Sequence, residues 1–171
     1  MDGILASKAN GRSFLVPPGS NFAADATPDE TIPPASLIER FERIGPHLGL
    51  ALKTNRFHKS VGIEFVELHE DGATMRLELG ERHLNGAGVV HGGVTFTLAD
   101  SALGHGIYKI VGKPCTTAEM KINYLKPVSS GVLTARSYIL RAGRRLVVAR
   151  AEVRCGDEPI AEVLSTFAVL G

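Results

Sequence analysis

One segment constrains the fold of this 171-residue chain more than any other. From His91 to Ile110 it reads HGGVTFTLADSALGHGIYKI, and between Gly92 and Tyr108 only Asp100 carries a full charge at neutral pH. A helix that is apolar nearly all round belongs in an interior. Something must therefore cover it on several sides, and its flanks indicate strands. Residues 61–68, VGIEFVEL, predict a strand, and Asp71-Gly72 is a hairpin signal. Ala73, Met75, Leu77 and Leu79 then alternate with Thr74, Arg76 and Glu78. Four more strands follow residue 114. Met120, Ile122 and Tyr124 alternate with Glu119, Lys121 and Asn123; residues 132–140 alternate through Leu133, Ala135 and Ile139; residues 146–155 place Val147, Ala149, Ala151, Val153 and Cys155 on one face. Residues 160–170 are apolar on both faces, the pattern of an interior strand. Gly143 and Gly156-Asp157 supply the turns. Two strands, a long helix and four strands predict an α+β fold, one antiparallel sheet wrapped around one central helix.

The rest of the chain reads differently. Residues 1–35 form an extension rich in small and polar residues, broken by Pro17-Pro18 and Pro33-Pro34, that is either a free tail or packs on a partner subunit. Residues 36–57 form a helical segment in which Leu37, Phe41, Ile44, Leu48 and Ala51 recur at helical steps and Pro46 imposes a kink. Residues 58–171 form the main domain. The net charge of +1, the absence of Trp and the 6% aromatic content argue against a nucleic-acid binder. No apolar run reaches the ~18 residues of a membrane helix. Met1-Asp2-Gly3 opens no secretory signal, and Cys115 and Cys155 form no CxxC pair. The expectation is a cytoplasmic protein with reduced thiols.

Asp100 is the most informative residue. Its helical neighbours Phe96, Thr97, Leu103 and Gly104 include no cation, so a buried carboxylate here needs a raised pKa or a specific partner elsewhere. His91-Gly92-Gly93 opens the same helix. The first helical N–H groups have no intrahelical acceptor, and glycine lets a ligand approach them closely. Such donors can hold a developing oxyanion. Gly92 and Asp100 lie two turns apart, about 12 Å by helix rise, so they do not converge on one carbonyl within one helix. A second chain or a returning loop would have to bring the second group in. Asn85 can orient a water or a carbonyl, or can simply make an Asn-Gly turn. Ser101 and His105 are four residues apart, but Asp100 points about 100° away from Ser101, which argues against a Ser–His–Asp triad. His83, His91 and His105 lack the spacing of a metal site.

His83-x-Asn85, His91-Gly92-Gly93, Leu98-Ala99-Asp100 and Glu119-Met120 through Tyr124-x-x-Pro127 together resemble the hotdog-fold acyl-CoA thioesterases, in the phenylacetic-acid-degradation (PaaI-like) branch of the 4-hydroxybenzoyl-CoA thioesterase superfamily. The resemblance covers residues 58–170. It implies a homodimer, or a dimer of dimers, with two central helices side by side within one continuous sheet and the active sites between them. It implies Gly92 as oxyanion donor, Asp100 from the partner subunit as general base or nucleophile, Asn85 positioning water or substrate, and Thr117 beside the nucleophilic water. His91 and Gly93 form the turn at the substrate, with the His91 ring fixing it. Lys126, Arg141, Arg144 and Arg145 are candidates for the CoA phosphates. No cofactor or metal is implied, since CoA is part of the substrate. A hotdog-fold hydratase or dehydratase and a non-catalytic acyl-CoA-binding domain are the alternatives.

Overall fold

The computed structural model describes residues 55–170 and two short strands near the start of the chain. The chain divides into two units, Met1–Pro34 and Ala35–Gly171. In the first, β1 (Ser7–Ala9) pairs antiparallel with β2 (Arg12–Phe14). The predicted helix over 36–53 and its Pro46 kink lie outside the described residues.

The second unit opens with a short helix, α1 (Arg56–Val61), where the sequence suggested only a polar stretch and then a strand beginning at 61. The Asn55 side chain caps it by accepting from the His58 N–H at 3.0 Å, and Gly62 ends it at φ 91°, a conformation that favours glycine. The strand therefore begins two residues late, as β3 (Ile63–His69), followed by β4 (Gly72–Glu78). Helix α2 runs Gly92–Val111, and then come β5 (Cys115–Tyr124), β6 (Val132–Ala142), β7 (Leu146–Cys155) and β8 (Glu158–Val169). The six strands form one antiparallel sheet in the order β3-β4-β6-β7-β8-β5.

The predicted alternation sets which face is buried. Met75, Leu77, Leu133, Ala135, Val147, Ala149, Ala151 and Val153 are all buried, against Leu98, Ala99, Ala102, Leu103 and Ile107 of α2. β8 is interior, as expected, but only one of its faces is covered: Val163, Ser165 and Phe167 are buried while Leu164 is 51% exposed.

Small residues let α2 sit close on the sheet. Gly106 has Ser137 Oγ, Gly72 Cα and Ala73 N within 3.0 Å of where a Cβ would stand. Gly72 is not the turn residue that Asp71-Gly72 suggested. It pairs with His69 at the start of β4, and a side chain there would collide with the Ser137 carbonyl. The Ser137 hydroxyl donates to Ala102 O at 2.8 Å and accepts from Ala73 N–H at 2.9 Å, so it ties helix to sheet. Buried Lys109, in the last turn of α2, donates to His69 O. These contacts fix the helix along its length and hence the positions of Gly92 and Asp100.

Candidate active site

The loop before α2 closes on itself. Leu84 bridges Val90, and the His91 N–H donates to His83 O at 2.8 Å. Asn85 Oδ1 accepts from Ala87 N–H at 2.8 Å, an Asx-type turn. The turn thus uses its carboxamide oxygen, and only Nδ2 is without a partner among the described residues. His83 is buried and structural: Nδ1 accepts from Gly80 N–H, and Nε2 lies 2.8 Å from Val61 O.

His91 is the N-cap of α2, and its Nδ1 accepts from Gly93 N–H at 3.0 Å. That bond uses the Gly93 donor. The Gly92 N–H has no partner among the described residues, as the first N–H of a helix should not. Tyr124, at the far end of β5, lies over this glycine and donates to Gly92 O at 2.8 Å. A Cβ at Gly92 would stand 2.9 Å from the Tyr124 hydroxyl and 3.0 Å from its ring, so glycine is required here by close approach. Gly92, Thr95, Tyr124, Leu125 and Lys126 are among the residues around a pocket of about 350 Å³.

Asp100 lies elsewhere, in a cleft of about 670 Å³ on the flank of α2. The helix is not covered all round as the sequence suggested: Phe96, Thr97, Asp100, Gly104, His105 and Tyr108 are half-buried along this cleft. Asp100 has the specific partner its isolation required. Thr117 Oγ1 donates to Asp100 Oδ1 at 2.7 Å. A bulge in β5 between Thr117 and Glu119 brings Thr117 onto the helix-facing side along with Met120 and Ile122.

Three groups in the cleft carried no sequence signal for this place. His58, from α1, is 6% exposed, and its Nε2 lies 2.9 Å from Ser101 Oγ. Ser101 Oγ donates to Thr97 O at 2.8 Å. His105 Nδ1 donates to Ser101 O at 2.7 Å, and the His58 and His105 rings are 5.3 Å apart. Ser101 thus faces His58 rather than His105, and no Ser–His–Asp triad forms. Burial pushes His58 down to about 4, with the charge of His105 adding, and burial lowers His105 too. Burial, with Asp100 nearby, pushes the Cys115 thiol up to about 11, so it is protonated at neutral pH and unsuited to nucleophilic attack.

The predicted phosphate ligands fall at opposite ends of the sheet. Lys126 adjoins the Gly92 pocket and pairs with Glu158 at 3.1 Å. Arg141, Arg144 and Arg145 are exposed around the β6–β7 turn and form no ion pair among the described residues. That turn adjoins the Cys115 end of β5: the Arg145 carbonyl accepts from Val169 N–H, and Val169 pairs with Cys115.

Comparison with known proteins agrees with this architecture. The Thioesterase superfamily model matches residues 87–162. The protein named "Putative esterase SSO1253" of Saccharolobus solfataricus is 32% identical over 120 residues, 69% of this chain and 80% of that one. The structure of conserved protein PA5202 from Pseudomonas aeruginosa shares 36% identity at a TM-score of 0.66, covering 67% of this chain and 94% of its own. The E. coli PaaI protein, at 22% identity and a TM-score of 0.71 over 80% of this chain and 97% of its own, shares the fold. The described residues contain no helix long and apolar enough to cross a membrane. With the hotdog fold, the glycine-led central helix and its carboxylate in place, the chain belongs to the thioesterase superfamily, whose general chemistry is thioester hydrolysis.

Proposed function

We propose that the protein hydrolyses acyl-CoA thioesters at a site completed by two copies of the chain. The observation that carries this reading is the split of the site along β5: Asp100 is bonded to Thr117 near one end of the strand, and Gly92 to Tyr124 at the other. Among the described strands β5 pairs only with β8, and most of its ten residues are exposed. A long unpaired edge is a template for another strand. Antiparallel self-pairing about a two-fold axis near Met120 and Lys121 would lay the Thr117 end of one copy beside the Tyr124 end of the other. Asp100 of one copy then faces Gly92 of the second. The assembly is an even one, a dimer or a dimer of dimers.

In that arrangement the thioester carbonyl accepts from the Gly92 N–H at the positive end of α2. Asp100 of the second copy either takes a proton from the attacking water or attacks the carbonyl itself. Thr117 donates to one carboxylate oxygen and leaves the other for this work. Asn85 Nδ2 positions the water or substrate, while His91, through Gly93, holds the turn. The same pairing brings Lys126 of one copy and the Arg141, Arg144 and Arg145 turn of the other to one end, where they would hold the CoA phosphates. The protein acts in the cytoplasm and needs no cofactor.

A panel of acyl-CoAs assayed for free CoA thiol, with wild-type protein and Asp100→Asn, tests the reading. Thiol release that depends on Asp100 supports it. Binding without release from any thioester points to an acyl-CoA-binding domain. Conversion of the acyl group with CoA still attached points to a hydratase.

A further inference from the structure

The cleft beside Asp100 holds two imidazoles that hydrolysis as described does not use. Their hydrogen bonds fix their tautomers. Ser101 has one hydroxyl proton, which it donates to Thr97 O, so toward His58 it accepts. His58 Nε2 therefore carries the proton, and Nδ1 of the neutral ring is a bare acceptor. That Nδ1 is buried and has no partner among the described residues. A polar atom left in this state is costly unless a ligand or water satisfies it. His105 donates through Nδ1 to Ser101 O, which leaves its Nε2 as a second acceptor. Both rings stay neutral at physiological pH because burial lowers them.

The rest of the lining points the same way. Phe57, Phe96, Tyr108 and Phe167 give the cleft apolar walls. Among the described residues that line it there is no Lys or Arg, and Asp100 supplies a negative charge. An acyl group with its own carboxylate would meet only acceptors and a like charge. A neutral acyl group with a hydrogen-bond donor would satisfy what the cleft lacks.

We propose that His58 is a specificity-determining residue: its Nδ1 accepts a hydrogen bond from a hydroxyl on the acyl group of the thioester. This rests on the acyl-CoA reading above, with the acyl group seated in the Asp100 cleft. A site built to bond a hydroxyl discriminates strongly against the analogue without it, because the buried acceptor is then left unpaired.

The test uses matched CoA thioesters that differ by one hydroxyl, hexanoyl against 6-hydroxyhexanoyl and benzoyl against 4-hydroxybenzoyl. The two pairs distinguish a chain hydroxyl from a ring hydroxyl. The readout is the ratio of kcat/KM within each pair. Wild-type protein should favour the hydroxylated member of at least one pair by about 10-fold or more. His58→Gln presents an amide N–H toward Ser101 but loses the acceptor at the Nδ1 position, and should bring the ratio to about 3 or less. His58→Asn presents an amide oxygen near the Nδ1 position and should keep most of the preference. Equal kcat/KM within both pairs for the wild type, or an unchanged preference in His58→Gln, would overturn the proposal. The Kd values of the same thioesters on Asp100→Asn, with and without His58→Gln, give the comparison without turnover. If wild-type protein hydrolyses none of the four, the thioesterase reading falls, and the Kd ratio alone decides the role of His58.

Discussion

The first turn of α2 and its middle are built on different principles. At Gly92 the functional group is backbone, aligned by the helix and by the Tyr124 hydroxyl on Gly92 O, in a pocket of about 350 Å³. At Asp100 it is a charged side chain, oriented by Thr117 and bordered by neutral imidazoles, in a cleft of about 670 Å³. One end offers a fixed donor and the other a negative charge with acceptors. Ester chemistry needs both at one carbonyl, and one copy of the fold keeps them apart. The rigid crossing of Gly106, Gly72 and Ser137 maintains that separation.

The largest expected effect is at the carboxylate. Asp100→Asn preserves size and should lower kcat by about 10²-fold or more, the scale of losing acid–base help, while the thermal midpoint stays near wild type. A fall in kcat under threefold would assign Asp100 a structural role. At the other end, Gly92→Ala should push Tyr124 off the helix start and reduce kcat roughly 10-fold, toward the scale of weakening one oxyanion donor. Tyr124→Ala in the Gly92→Ala background should recover part of that loss, because it removes the clash.

Thr117→Val removes the hydroxyl that holds Asp100. We expect kcat to fall several-fold, about the worth of one hydrogen bond to a charged group, with KM little changed and Thr117→Ser close to wild type. Arg144→Ala with Arg145→Ala should raise KM for CoA thioesters a few-fold without lowering kcat as much, and the effect should shrink in high salt. Equal KM shifts on a truncated thioester lacking the phosphates would remove that assignment.

The smallest effect concerns acid. The pKa of His58 is lowered on folding to about 4 from 6.5, so below 6.5 the unfolded chain takes up the proton first. The stability tied to its neutral form is complete above about 6.5 and is lost as pH falls through about 4. His58→Gln should flatten the dependence of the thermal midpoint over that window.

Much of the fold was legible because the burial pattern is local. The alternation in β4 and β7 and the isolated charge of Asp100 each sit within a few residues of sequence. The pairing of Asp100 with Thr117 followed from the family resemblance rather than from pattern. What stayed illegible is long-range. His58 lies 43 residues from Ser101 in a stretch that reads as polar, and no local signal shows that a short helix buries it. Tyr124 alternates like any strand residue, and only the fold reveals that it covers Gly92. Gly72 reads as a turn residue because its true constraint, the Ser137 carbonyl, comes from a strand 65 residues on. The half-open flank of α2 departs from the apolar pattern because a single copy does not cover it.

The central claim is that Gly92 and Asp100 act across two copies of the chain. Mixing two inactive variants tests it directly. Asp100→Asn and Gly92→Pro protein, unfolded together and refolded, should give mixed dimers in which one site joins an intact Gly92 to an intact Asp100. Random association predicts recovery of about a quarter of wild-type activity. A mixture as inactive as its parents, from material shown to contain mixed dimers, would place both groups within one copy and contradict the shared site.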